Sequence, residues 1–325
     1  MISYQLRTDG ANTLLEPAEL PVPEPGAGQL LLRVHAAGLN RGEFIPGGLQ
    51  GKAGVAKPAG IEAAGEVVAL GAGVTDFQVG QRVMGRCPGA FSEFALMDAR
   101  EAMPVPPPLS MAEAAAVPLV FLVVHDMLVT QGRLQRGQWL LVAGVSSGVG
   151  VASLQLATAI GARVIGTSGS PEKLEKLKAL GLDLGITTRL GAFAAAVERA
   201  TDGAGINLVV NTVGGSVFAE CIRTLAFEGR LATVGYVDNT LKAEIDIQAL
   251  HVKRLTVFGV SNKLRSADQR AAGLPAFKAD VLPALSDGRI KPLLDRVFPL
   301  AELAAARAHM EANRHLGKIV VTMVV

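Results

Sequence analysis

The 325-residue chain is poor in aromatic residues, with one Trp, two Tyr and 11 Phe, so it offers few rings on which bases or sugars can stack. An excess of one charge is missing too. Against 31 Lys and Arg stand 29 Asp and Glu, and a formal net charge of +2 is too small to argue for nucleic acid. The two cysteines, Cys87 and Cys221, lie far apart, which suits reduced thiols in a cytoplasm better than a disulfide framework. The opening MISYQLRTDG lacks the apolar core of a signal peptide, so nothing in it is expected to direct export. Half the residues are hydrophobic, yet the long uncharged stretch from Trp139 to Ala162 is broken by four glycines and several hydroxyls. That excludes a membrane span.

The stretch that rules out a membrane span is also the most informative one. Trp139 to Val142 reads as a buried strand, GVSSGVG as a turn and Val151 to Ile160 as a helix. Gly144, Gly148 and Gly150 permit positive φ and close backbone approach, and the amides of Ser147, Gly148 and Val149 opening the helix present partial positive charge to a pyrophosphate. Such a turn is either a cradle for NAD or NADP or a tight βα turn that holds no ligand.

The surrounding grammar favours two domains. Up to about Val105 the chain alternates in a β manner, punctuated by glycine and proline, as in LLLRVHAAGLN and GEVVALGAG. The proline-rich stretch from Pro104 to Ser110 reads as a stiff linker, with a boundary near it. From Met111 helices alternate with short apolar strands (WLLVAG, RVIGTS, LGITT, NLVVNTV, RLATVG, LTVFGV), which predicts a parallel sheet covered on both faces. In SPEKLEKLKALG, Ser170 is suited to cap a helix, Pro171 to its first turn and Gly181 to its close, with Leu174 and Leu177 on one face. The terminal KIVVTMVV needs a sheet to join, most economically that of the first domain.

Taken together, AAGLNRGEF, GIEAAGEVVALGAGV, VGQRVMG, GAFSEFALMDA, the glycine turn, TSGSPEKLEKLKALGLD, NTVGG, GRLATVG and HLGKIVV make the chain resemble the medium-chain dehydrogenase/reductase superfamily, in its zinc-independent quinone oxidoreductase (zeta-crystallin-like) branch. The resemblance implies an α/β protein: a GroES-like β-rich domain from residues 1–118 and 264–325, an inserted Rossmann domain over 119–263, and a cofactor cleft where they meet. The turn's GxxxGxG spacing also fits short-chain dehydrogenases. Those need a tyrosine followed four residues later by lysine, and here Tyr4 and Tyr236 are followed by Thr8 and Thr240.

Zinc enzymes of the superfamily place a cysteine and a histidine where this chain resembles them at Asn40 and Ile61, and a four-cysteine lobe where only Cys87 stands. Zinc is therefore not expected, and Glu62 is assigned a structural hydrogen-bonding role. NADPH is expected over NADH. After ARVIGTSGS no acid appears until Glu172, which complements a helix dipole, while Ser168 and Lys173 match positions that hold a 2′-phosphate in relatives. The tyrosine that relatives add near the end of the third strand is Thr188 here. The remaining cofactor residues implied by position are Asn211, Val213 and Gly214, then Gly235 and Tyr236, then Phe258, Gly259, Val260 and Ser261.

Asn40 and Arg41 are carried over as positioning residues, Asn40 as a contact to a substrate carbonyl or the nicotinamide ribose. Arg41 and Glu43 read equally as a surface ion pair, and for Glu43 that reading is preferred. On the substrate side stand Phe44, Asn262 and Arg265, with Phe44 and the following IPGGLQGKAGVAK forming an apolar wall where quinone reductases often carry tyrosines. His125 is assigned a structural place in a helix. These features imply a cytoplasmic, homodimeric enzyme that moves hydride from NADPH to a small quinone or α,β-unsaturated carbonyl, with no nucleic-acid or membrane partner. The alternatives are a non-catalytic NADPH-binding sensor and a reductase of 2-enoyl thioesters.

Overall fold

The computed structural model describes residues 1–9, 12–44 and 56–323, in two compact units: Met1–Leu119 with Arg265–Val325, and Val120–Leu264. In the first unit a sheet runs in the order Leu294–Pro299, Lys318–Thr322, Gln29–Gly38, Glu62–Leu70, Arg82–Arg86 and Ala102–Pro104, with Phe94–Asp98 also paired to Gln29–Gly38. The terminal strand Lys318–Thr322 lies parallel to Leu294–Pro299 and antiparallel to Gln29–Gly38. Along Gln29–Gly38 the period-2 pattern sends Leu30, Leu32 and Val34 into the core while Arg33 is exposed.

The proline-rich stretch is not a linker between the units. Val105 and Leu109 are buried, the Val105 amide donates to the Arg82 carbonyl (3.1 Å), and the Arg82 guanidinium donates to the Leu109 carbonyl (2.6 Å). Ser110 then caps the short helix Met111–Ala115 in a reciprocal capping box with Glu113. Prolines set the local backbone angle, but these neighbours press the segment onto the first unit.

The second unit is a six-stranded parallel sheet in the order Leu184–Thr187, Arg163–Ser168, Trp139–Ala143, Ile206–Asn211, Leu225–Thr233, Thr256–Gly259. Every residue of Trp139–Ala143 is buried, as expected of a central strand covered on both faces. The chain steps outward in one direction from this strand and then returns to the other side, so the switch of direction falls between Trp139–Ala143 and Ile206–Asn211. In such sheets ligands bind beyond the carboxyl ends at that point. Among the described residues, no helix is long and apolar enough to cross a membrane.

Candidate functional site

At the switch point the glycine turn joins Trp139–Ala143 to the helix Gly148–Ile160, which opens three residues earlier than the sequence suggests. Gly144 has φ +85, and a Cβ there would stand 2.3 Å from Thr212 Oγ1. Gly150 brings the helix onto the turn: its Cβ would lie 2.5 Å from the Gly144 carbonyl oxygen and 2.6 Å from that of Val145. These two glycines are thus required for packing. Ser147 caps the helix, its Oγ donating to the Gly144 carbonyl (2.9 Å) and accepting from the Gly150 amide (3.1 Å). The first-turn amides of Gly148 and Val149 have no intrahelical carbonyl to reach, and they are the groups such a turn offers an anion.

The second strand, Arg163–Ser168, ends beside this turn. Ser168 is buried, its hydroxyl bonded to Ser146 Oγ (3.1 Å) and accepting from the Ser170 amide (3.3 Å), so it ties turn to strand rather than standing open. Ser170 Oγ caps Pro171–Lys178 by accepting from the Lys173 amide (3.3 Å), which places Lys173 in the first turn. One residue absent from the sequence reading joins this group. The exposed Arg189 lies across Gly169 so closely that a Cβ there would stand 2.7 Å from Arg189 Cγ and 2.8 Å from Nε. The only sequence signal was its place directly after Thr188, whose own hydroxyl donates to the Leu190 carbonyl (2.6 Å) and so serves the loop.

At the carboxyl end of Ile206–Asn211, Asn211 does not face a ligand. It is fully buried, its Oδ1 accepts from the amides of Val213 and Gly214 (both 3.0 Å), and its Nδ2 donates to the Gly214 carbonyl (2.9 Å). It shapes the turn that presents Val213, whose Cγ2 would lie 3.4 Å from a Cβ on Gly144. Gly214, at φ +131, faces Asp238, which accepts from the amides of Ser216 and Thr240 (both 2.9 Å) and clamps the following loop. Gly235 packs on the Thr212 carbonyl, Tyr236 is exposed, and beyond Phe258 the α-carbon of Gly259 faces open space. Val260 is buried; Ser261 is exposed and accepts from the Lys263 amide (3.2 Å).

In the first unit, Asn40 is the hub of a buried polar cluster. Its Nδ2 donates to Glu43 Oε1 (2.9 Å) and Glu62 Oε1 (2.8 Å), and its Oδ1 accepts from Lys318 Nζ (2.7 Å). Lys318 also donates to Glu62 Oε1 (2.7 Å) and the Leu39 carbonyl (2.9 Å), while Glu62 Oε2 accepts from the Leu119 amide (2.7 Å). Both Asn40 donors are therefore engaged, and what remains is an acceptor lone pair. That suits a hydroxyl donor such as a ribose and not a substrate carbonyl. Glu43 is not half of a surface pair: it is buried, and burial pushes its carboxyl up to about 8. Arg41 turns away, donating to the Met310 carbonyl and Asn313 Oδ1 (both 2.8 Å), so it anchors the turn instead of positioning a reactant.

This cluster does not fit zinc. Asparagine and isoleucine stand where two donors are needed, and the ammonium of Lys318 already occupies the neighbourhood of the Glu62 carboxylate. Among the described residues, no group of three or more His, Cys, Asp or Glu is placed to hold a metal.

On the substrate side two expectations are corrected. Phe44 is 5% exposed, its ring stacked on Phe91 and covered by the Arg307 guanidinium, so it belongs to the core. Arg265 is engaged locally, donating to the Gln269 carbonyl at the start of the helix Ala267–Ala271. Asn262 is half-buried in the segment between that helix and Thr256–Gly259. Residues 45–55, the rest of the expected apolar wall, lie outside the described residues. His125 is buried at the end of the helix Pro118–His125.

Comparison with known proteins places this architecture. Residues 26–107 match the family described as alcohol dehydrogenase GroES-like domain, and residues 148–272 the family described as zinc-binding dehydrogenase. Over 329 residues the chain is 31% identical to the spectinabilin polyketide synthase system protein NorB of Streptomyces orinoci; the match covers 98% of this chain and 14% of that protein. The phthioceranic/hydroxyphthioceranic acid synthase of Mycobacterium tuberculosis is also 31% identical, over 319 residues that make up 97% of this chain and 15% of that protein. The structure of mycobacterial Rv1454c complexed with NADPH is similar at a TM-score of 0.88 and 28% identity, covering 99% of both chains. CurK enoyl reductase is similar at a TM-score of 0.82 and 25% identity, again over 99% of both.

Proposed function

Because the chain belongs to the medium-chain dehydrogenase/reductase superfamily, we propose that it is a zinc-independent, NADPH-dependent reductase of quinones or α,β-unsaturated carbonyl compounds. The observation that supports this reading is the end of the second strand: among the described residues Arg163–Ser168 ends without a carboxylate, Ser170 and Lys173 open the next helix, and Arg189 lies across Gly169. An NAD site commonly offers a carboxylate there to the ribose hydroxyls, whereas cations and hydroxyls suit a 2′-phosphate. The NADPH complex of the similar mycobacterial protein supports the same choice.

When bound, NADPH supplies a hydride. The chain's own part is to hold and orient. In the second unit the amides of Gly148 and Val149 would take the pyrophosphate, Lys173 and Arg189 the 2′-phosphate, and Val213 and Gly214 would line the nicotinamide end. With an asparagine and an isoleucine at the metal-ligand positions, nothing in the donor set acidifies an alcohol. An acceptor already activated by conjugation is the better match, and the anion left on it takes a proton from water.

A second reading, reduction of a 2-enoyl thioester, is favoured by the similarity to a polyketide synthase system protein and to an enoyl reductase. The test for both is NADPH consumption with benzoquinone, phenanthrenequinone, a short enone and a 2-enoyl thioester in parallel. Turnover of the thioester alone selects the second reading; binding without turnover of any acceptor selects a sensor.

Arg189→Ala is expected to weaken NADPH by about ten- to a hundredfold, corresponding to one lost charge-assisted bond of roughly 1.5–3 kcal/mol, while NADH affinity barely moves. Fluorescence titration of both cofactors checks this; equal losses would remove Arg189 from the phosphate site. We also propose a homodimer through Thr256–Gly259, the outermost strand on its side of the sheet, where Val257 is 40% exposed. Light scattering is expected to give twice the chain mass, and Val257→Lys to return a monomer.

A further inference from the structure

We propose that Arg86 anchors an oxyanion-binding site in the first unit, suited to a carboxylate or a phosphate. Arg86 ends the strand Arg82–Arg86, where it pairs across with Glu62, while Gly85 pairs with Ala102 on the other side and so brings Arg86 beside Glu101. Opposed residues of antiparallel strands share a face, with α-carbons about 5 Å apart. Arg86 therefore stands on the sheet face that carries the Glu62 carboxylate, to which Asn40 is bonded, one strand further out.

The neighbouring charges give this guanidinium too little negative charge. Glu101 is buried, and its Oε1 accepts from Arg270 Nε (3.0 Å) and from one of the terminal nitrogens of Arg270 (2.9 Å). The other terminal nitrogen of Arg270 donates to the Arg265 carbonyl (2.7 Å), so all three of its nitrogens are engaged. Arg86 approaches the second oxygen, Glu101 Oε2, through Nε at 4.0 Å, beyond hydrogen-bond reach. Two guanidiniums thus meet one carboxylate. Burial holds Arg86 below the usual arginine value, Arg270 pushes the same way, and Glu101 opposes them. Asp98, which feels Arg270, and Asp268 are both bonded to Arg100 (2.7 and 2.6 Å), and among the described residues neither forms an ion pair with Arg86.

What remains of the guanidinium selects the ligand. With Nε turned toward Glu101, the two terminal nitrogens of Arg86 have no hydrogen-bond acceptor among the described residues, and the side chain is 33% exposed, open to a ligand from solvent. That edge grips two oxygens in parallel, the pair that a carboxylate or a phosphate offers. The charge of Arg270, fixed behind it, adds to the attraction. The link to the reaction rests on the reductase reading: a conjugated acceptor bearing a carboxylate, or a thioester on a phosphate-bearing arm, presents this oxyanion. A free phosphate has the same chemistry.

Calorimetric titration without cofactor tests the site, with monomethyl fumarate, its neutral relative dimethyl fumarate, and inorganic phosphate as probes. Wild type is expected to bind the acid at least about tenfold more tightly than the diester, the effect of one charge-assisted bond, and less tightly as salt rises. Arg86→Gln should abolish that discrimination and Arg86→Lys restore part of it, which a purely structural arginine would not do. The Nε–Hε NMR resonance of Arg86, identified by its absence from Arg86→Lys, should shift in step with binding to wild type, and it decides the matter if Arg86→Gln fails to fold. Tighter binding of phosphate than of the acid supports the site and assigns it to a phosphate. Failure of acid and phosphate alike to bind, a diester bound as tightly as the acid, or discrimination undiminished in Arg86→Gln overturns the proposal. Reduction of the two esters with NADPH is read separately: its absence counts against the reductase reading and leaves the titration to decide the site.

Discussion

Replacing Lys318 by methionine is expected to destabilise the protein by about 3–5 kcal/mol, the penalty for stripping the partner from a buried charge. The ammonium is nearly sealed, with side-chain exposures of 7% for Lys318 and 0% for Glu62, and it donates three hydrogen bonds, all under 3 Å. Methionine keeps much of the volume but leaves the Glu62 carboxylate, among the described residues, with the Asn40 and Leu119 donors. Adding Glu62→Gln should recover part of the loss, because a neutral amide then stands where the stranded carboxylate was. Denaturant unfolding of the single and double variants checks this. A single variant as stable as wild type would mean that the pair carries no net structural weight.

The second large effect concerns Gly150. On helix propensity alone, Gly150→Ala should stabilise by about 1 kcal/mol, since glycine is a poor helix residue. The structure predicts the opposite sign. The added Cβ would meet three backbone atoms of Gly144 and Val145 at 2.5–2.6 Å, and none belongs to a flexible side chain that can move aside. Relief requires lifting the helix from the turn, at about 1–3 kcal/mol. Displacement of the Gly148 and Val149 amides should also weaken NADPH by at least about tenfold. Urea unfolding and cofactor titration measure the two parts. A variant more stable than wild type with unchanged affinity would show that the helix does not need its close approach.

What was legible in the sequence is what short-range rules determine. The Pro171–Lys178 helix shows this: Ser170 caps it, Pro171 opens it, Leu174 and Leu177 are buried, and Gly181 takes φ +95. The six apolar runs of the second unit all form strands for the same reason. The Asn40 cluster was legible only in part. Glu62 was assigned a hydrogen-bonding role, which it has, but Lys318 comes from 278 residues away, and no local pattern announces it. Glu43 was misread for that reason, since burial depends on partners distant in the chain.

Arg189 escaped because its meaning depends on lying against Gly169 across two strands. Phe44 shows the reverse error. A resemblance placed it beside a substrate, while the Thr13 hydroxyl on its carbonyl (3.0 Å) and the stacked Phe91 place it in the core. Asn211 likewise occupies the expected strand end but turns inward to hold Val213 and Gly214.

The most direct measurement is the rate of NADPH consumption against that of NADH, with quinone, enone and enoyl-thioester acceptors and with a chelator present throughout. The account predicts turnover of a conjugated acceptor, faster with NADPH and unaffected by the chelator. Preference for NADH, or loss of turnover with the chelator, would contradict it.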